Sequence, residues 1–125
     1  MGNMLDALQM KVEQQERGLM VMSMPVTDDV KQPFGYLHGG ASLALGETAC
    51  SMGAAYLIDT EKFVPLGLEM NGNHIGSTTH GTIYATATII HEGKTTQVWN
   101  IDIKDDTERL ICVMRGTVAI KPRKN

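Results

Sequence analysis

Gly39-Gly-Ala-Ser-Leu-Ala-Leu-Gly-Glu47-Thr-Ala-Cys-Ser-Met-Gly-Ala-Ala-Tyr-Leu-Ile58 holds twenty residues and a single charge. A run of this length and apolarity reads as a helix covered on most of its circumference. Three further glycines, two serines, a threonine and Glu47 follow Gly39, which argues against a membrane span and for a helix inside a protein core. Glu47 is the anomaly. A lone carboxylate among apolar neighbours is costly to bury, so a buried Glu47 requires a chemical reason. The glycine pair Gly39-Gly40 stands at the start of the run, where a helix offers unpaired N–H groups and the positive end of its dipole.

On the C-terminal side the apolar period changes from helical to two. Phe63 to Ile75 reads as a strand. Ile83, Ala85, Ala87 and Ile89 alternate with Thr82, Tyr84, Thr86 and Thr88. After a turn at Glu92-Gly93, Gln97, Trp99, Ile101 and Ile103 alternate with Thr96, Val98, Asn100 and Asp102. Leu110, Cys112, Met114, Val118 and Ile120 share a face in the last strand. On the N-terminal side, Met4, Leu5, Leu8 and Val12 have helical spacing, Arg17 to Val26 suits one strand, and Thr27 to Gly35 is a polar loop. The order is helix, strand, long helix, then four strands. It predicts an α+β fold in which an antiparallel sheet wraps one central helix. One sheet leaves part of that helix uncovered, which invites a second copy.

The 125 residues are read as one domain, 1–125. The formal net charge of -3 and a pI of about 5.7 offer no basic face for nucleic acid. Cys50 and Cys112 sit in apolar stretches and read as reduced core residues; the nine methionines read as adaptable packing, some of it in an acyl pocket. The first residues show no secretory pattern, so a cytoplasmic location without membrane association is expected. No Cys/His spacing suits a metal, and phosphate-loop, dinucleotide and Gly-x-Ser-x-Gly patterns are absent from the sequence.

Five residues gather around the helix start and first turns: Gln32, His38, Gly39, Glu47 and Ser51. Burial raises a carboxylate's pKa and hydrogen-bond donors lower it, and the balance poises Glu47 as base or nucleophile. The N–H groups of Gly39 and Gly40 suit a developing oxyanion. Gln32 is neutral and both donates and accepts. Ser51 lies one turn beyond Glu47 on the same helix face. Each has a plainer reading: a turn for the glycines, a helix cap for His38, a backbone bond for Ser51.

Set together, these residues resemble the hotdog-fold acyl-CoA thioesterases. The likeness is to the branch holding the Arthrobacter-type 4-hydroxybenzoyl-CoA, phenylacetyl-CoA and 1,4-dihydroxy-2-naphthoyl-CoA thioesterases. It rests on His38-Gly-Gly-Ala-Ser followed by Glu47, and on Leu66-Gly-Leu-Glu-Met-Asn-Gly-Asn-His74. The resemblance implies Glu47 as nucleophile or general base and Gly39 N–H polarising the thioester carbonyl. It implies Gln32 and His38 positioning thioester and water, and Ser51 assisting hydrolysis. Gly40, Asn73, His74, Ser77 and Thr78 would contact substrate or coenzyme A. No metal and no bound cofactor is implied, coenzyme A being part of the substrate. The site would sit at a homodimer interface, with dimers paired into a homotetramer. Many of these relatives carry an Arg or a second His after the Asn-His pair, whereas this chain has Ile75 and Gly76. Phe34, Tyr36, Leu37, Met52 and Tyr56 are candidates for the acyl pocket, and an aromatic or medium-chain acyl group is expected. A hotdog hydratase or dehydratase, and a non-catalytic acyl-CoA-binding module, are the alternatives.

Overall fold

The computed structural model of the chain describes residues 2–124. The predicted helix is α2, Gly39–Tyr56, and its composition explains its placement. Ser42, Leu45, Gly46, Ala49, Cys50, Gly53 and Ala54 are its buried residues, one face at helical spacing. Small residues on that face bring the helix close to the sheet. A side chain at Gly46 would collide with Met114, and one at Gly53 would meet the Trp99 ring at 2.7 Å.

The sheet has six antiparallel strands in the order β1-β2-β4-β5-β6-β3. These are β1 (Lys11–Glu16), β2 (Leu19–Pro25), β3 (Phe63–His74), β4 (Thr82–Glu92), β5 (Thr96–Lys104) and β6 (Leu110–Pro122). Met20, Met22 and Met24 of β2, Ile83, Ala85 and Ala87 of β4, and Trp99, Ile101 and Ile103 of β5 are each 1% exposed or less. They meet α2, so the period-two faces of β4 and β5 read from the sequence are among the faces that build the core. Buried Trp99 places its ring N–H on Gln97 Oε1 at 2.9 Å, which explains a buried glutamine in that row.

The N-terminus departs from expectation. The helix foreseen through Val12 is a single turn, α1 (Met4–Ala7), and Lys11–Glu16 is an extra strand. Every residue of β1 is exposed, so it carries no apolar alternation to read. It is fixed by hairpin pairing with β2 through Arg17-Gly18, where Gly18 has φ +86°. At the other end of the sheet, β3 pairs only with β6 and leaves a twelve-residue free edge. A bulge between Gly67 and Glu69 interrupts its register, and Leu66 and Leu68 are 50% and 61% exposed.

Candidate active site

The loop before α2 is held by Gln32. Its side-chain oxygen accepts from the N–H of Phe34 at 2.6 Å and of Tyr36 at 3.2 Å. The backbone of Gln32 accepts from Gly35 at 3.0 Å and donates to Tyr36 at 2.8 Å, closing a turn in which Gly35 has φ +90°. With the oxygen committed, the Gln32 NH2 is left as a donor without a partner among the described residues.

His38 is the N-cap of α2, its Nδ1 accepting from Gly40 N–H at 2.8 Å. The ring nitrogen and the Gly40 donor are therefore spent on each other. Ala41 and Ser42 N–H reach the His38 carbonyl at 3.0 and 3.3 Å. The Gly39 N–H, by contrast, has no hydrogen bond among the described residues, and the first turn of α2 carries no acidic residue. One free donor thus stands at the positive end of an eighteen-residue helix. His74 explains why the residue is glycine: a Cβ at position 39 would stand 2.8 Å from His74 Nε2.

Gln32, Tyr36, Leu37, Gly39, Ser42, His74, Gly76 and Ser77 line one cleft of about 430 Å³. Glu47 lies elsewhere. Eight residues along α2 put it about 12 Å from Gly39 in axial rise. With Ser51 it lines a second cleft of about 470 Å³, shared with Met4, Leu5, Ala44, Thr48, Met52, Ala55 and Pro65. His38 and Gly40 face a smaller cleft of about 260 Å³ with Met4, Leu8 and Lys31.

The expected burial of Glu47 is corrected here. Glu47 is exposed in the single chain, because the sheet covers the opposite face of α2 and β3 passes beside the carboxylate without roofing it. Of the acyl-pocket candidates, Tyr36 and Leu37 line the Gly39 cleft, Met52 lines the Glu47 cleft, and Phe34 is 85% exposed. The Ser51 hydroxyl has no partner among the described residues, whereas Thr48 bonds back to the Ala44 carbonyl at 2.7 Å, the ordinary fate of a hydroxyl in a helix. Of the second group, His74 and Ser77 reach the Gly39 cleft. Thr78 anchors it instead, its carbonyl accepting from Leu37 N–H at 2.9 Å, and Asn73 is exposed outside both clefts. Gly67, against which Glu47 lies, was not singled out from the sequence; a glycine two residues after Pro65 inside an apolar strand was its available signal. Among the described residues no group of three or more His, Cys, Asp or Glu side chains is arranged to hold a metal ion. No described helix is long and apolar enough to cross a membrane.

A free N–H at a helix start, a carboxylate further along the same helix and an antiparallel sheet around both make a recognisable frame. The family model of the thioesterase superfamily matches residues 34–112, from the loop before α2 into β6. The chain belongs to the thioesterase superfamily. This thioesterase has the hotdog fold, a long helix held in a curved antiparallel sheet, and is a thioester hydrolase. It is 50% identical over 109 residues to the 1,4-dihydroxy-2-naphthoyl-CoA hydrolase of Listeria monocytogenes, covering 87% of this chain and 88% of that one. The crystal structure of the Glu47Ala mutant of a hypothetical protein from Staphylococcus aureus superposes with a TM-score of 0.95 at 68% identity, covering 97% of this chain and 100% of that one. The Q32A mutant of a thioesterase enzyme from Staphylococcus aureus subsp. aureus Mu50 gives a TM-score of 0.93 at 69% identity, covering 94% and 98%.

Proposed function

We propose that the chain hydrolyses an acyl-CoA thioester to the free acid and coenzyme A, using Glu47 and the Gly39 N–H. The observation that carries this reading is the unpaired Gly39 N–H at the start of α2, beside the free NH2 of Gln32. A thioester carbonyl oxygen seated there gains donors whose attraction strengthens as the oxygen becomes negative. Glu47 then takes a proton from the water that attacks the carbonyl carbon, or attacks that carbon itself to give an anhydride that water hydrolyses, restoring the carboxylate. The C–S bond breaks, the thiolate leaves and is protonated, and the hydroxyl of water ends on the acid. Ser51, one turn on from Glu47 and with a hydroxyl that has no partner among the described residues, orients the carboxylate or the water. Gly40 shapes this end of the helix through its bond to His38.

The separation of the two clefts implies a site built from two copies. In this reading Glu47 of one copy meets a carbonyl held by Gly39 of the other. The long apolar edge of β3 and the uncovered face of α2 supply the contact for a homodimer, and paired dimers give a homotetramer. Glu47Ala and Q32A, two crystallised variants of one Staphylococcus aureus protein, fall on the same residue types at the same numbers as Glu47 and Gln32 here. The Listeria relative acts, by its name, on an aromatic acyl-CoA. In this chain the cleft beside Glu47 offers Met4, Leu5, Met52 and Pro65 as an apolar bed with Ser51 and Thr48 hydroxyls at its side. That lining suits a flat aromatic acyl group carrying a hydroxyl, with medium-chain acyl groups as weaker substrates.

Thiol release from a panel of aromatic and aliphatic acyl-CoA thioesters, with acyl-carrier-protein thioesters alongside, tests the reading. Glu47→Gln should lower kcat by about 10²–10⁴-fold on the best substrate. Near wild-type turnover in that variant would remove Glu47 from the mechanism. Sedimentation of the wild-type chain as a monomer at assay concentrations would remove the shared site.

A further inference from the structure

The Gly39 cleft has one wall that is not supported by the helix. It is the segment after β3, where Gly76 and Ser77 face Gly39 and Gln32. Its inner end is pinned by two backbone bonds, from Ile75 and Gly76 N–H to the Ile111 carbonyl at 2.9 and 3.1 Å. Further along, the Thr78 carbonyl accepts from Leu37 N–H, which joins the wall to the Gln32 loop. Between these anchors the Ser77 carbonyl takes its hydrogen bond from a guanidinium, the Nη2 of Arg109.

Arg109 is itself held. Its Nε donates to Asp105 Oδ2 at 3.1 Å. Asp105 is 7% exposed, and its other oxygen accepts from Thr107 N–H at 2.9 Å, Thr107 Oγ1 at 2.6 Å and Arg109 N–H at 3.0 Å. The turn between β5 and β6 is thereby a rigid mount, with Glu108 at φ +66° to close it. The guanidinium also fills the space beside position 76, since a Cβ there would stand 2.9 Å from Arg109 Nη1. The absent side chain at Gly76 and the planar group packed in its place are complementary.

We infer that Arg109, oriented by Asp105, is a positioning residue that fixes the Gly76–Ser77 wall of the Gly39 cleft and so sets how tightly the thioester is held. This rests on the reading that the cleft binds an acyl-CoA. The wall touches the substrate before and during the reaction alike, so loosening it removes uniform binding, which raises KM with kcat kept. Lysine is a poor replacement, because one ammonium lacks the planar fork that serves Asp105 and Ser77 together.

The test uses Arg109→Met, Arg109→Lys and Asp105→Asn in the full chain. The substrate is benzoyl-CoA, with calorimetric binding of free coenzyme A, a thermal melt and amide exchange in parallel. Asp105→Asn can keep the acceptor for Thr107 while turning an NH2 toward Arg109, so it unhooks the guanidinium even if Arg109→Met folds poorly. We expect a rise in KM of about tenfold for Arg109→Met and Asp105→Asn, the equivalent of one charge-assisted hydrogen bond. Arg109→Lys should fall between these and the wild type. Coenzyme A should bind more weakly by a similar factor, kcat should stay within about threefold, and amide exchange should quicken at residues 75–78, with the melt little changed in Arg109→Met and lowered in Asp105→Asn. Unaltered KM and coenzyme A affinity in both variants would overturn the inference, as would a loss of kcat in proportion to a lowered melt. A wild-type chain that binds coenzyme A but hydrolyses no thioester would defeat the proposed function; the coenzyme A affinities of the variants would then decide the role of Arg109.

Discussion

The carboxylate of Glu47 rests on the backbone of Gly67: a Cβ added at position 67 would lie 2.8 Å from Glu47 Oε2. Gly67 stands at the bulge of β3, so the edge strand supplies the bare backbone that gives this carboxylate its place. Gly67→Ala should push the carboxylate aside at little energetic cost to the fold, because the displaced group is the far end of a flexible side chain. Activity should fall on the order of 10²-fold, as a misplacement of about 1 Å is enough for that. Stability should stay within about 0.5 kcal/mol of wild type. A urea titration run beside the thiol-release assay separates the two, and unchanged kcat would show that Glu47 does not depend on Gly67.

Gly53→Ala makes the opposite prediction. The new methyl would meet the Trp99 ring at 2.7 and 3.0 Å and Met20 Cβ at 3.3 Å, and both residues are fully buried. Overpacking of this kind costs about 1–3 kcal/mol, and the better helix propensity of alanine returns about 1 kcal/mol. A net loss of up to about 2 kcal/mol is expected from the urea titration. A stabilised variant would mean that α2 can slide on the sheet.

The parts of the fold that announce themselves in sequence are those whose side chains carry the pattern. The Trp99 row and the Ile83 row alternate because one face meets α2, and α2 is apolar because it is enclosed. β1 gave no such signal: all of its residues face water, and tertiary pairing alone makes it a strand. The site divides the same way. Gly39 and Glu47 stood out as candidates because a glycine pair and a carboxylate in an apolar run ask for a reason, whereas Gln32, in a polar loop, carried no such signal. Their distribution over two clefts was not legible, because the pitch of a helix and the path of β3 decide it. Arg109 and Gly67 escaped notice because their roles lie in contacts with Ser77 and Glu47, far away in sequence.

Asp105 should leave its mark on acid stability. Its hydrogen bond from the Thr107 hydroxyl, then those from Thr107 and Arg109, hold its pKa down at about 2, against an ordinary 3.8. The folded state therefore favours the ionised form. The stabilisation is complete above about pH 4 and drains away as pH falls toward 2. In urea titrations across that window, wild type and Asp105→Asn should converge as the solution is acidified. A constant gap from pH 6 to pH 2 would show that the Asp105 charge is not what the turn requires.

Cys50 titrates in the other direction. Burial first, and the neighbouring Glu47 carboxylate second, push its thiol up to about 12 from 9.0. The folded state thus holds this proton longer than the unfolded chain, so the contribution to stability is present below pH 9 and is lost as pH rises toward 12. Since the thiolate is the reactive form, native Cys50 should resist iodoacetamide at pH 8.5 while the urea-unfolded chain is alkylated. Glu47→Gln removes only the lesser cause, so Cys50 should stay protected in that variant, as peptide mass mapping would reveal. Rapid alkylation of Cys50 in Glu47→Gln alone would reverse the ranking and make the carboxylate, rather than burial, the guard of this thiol.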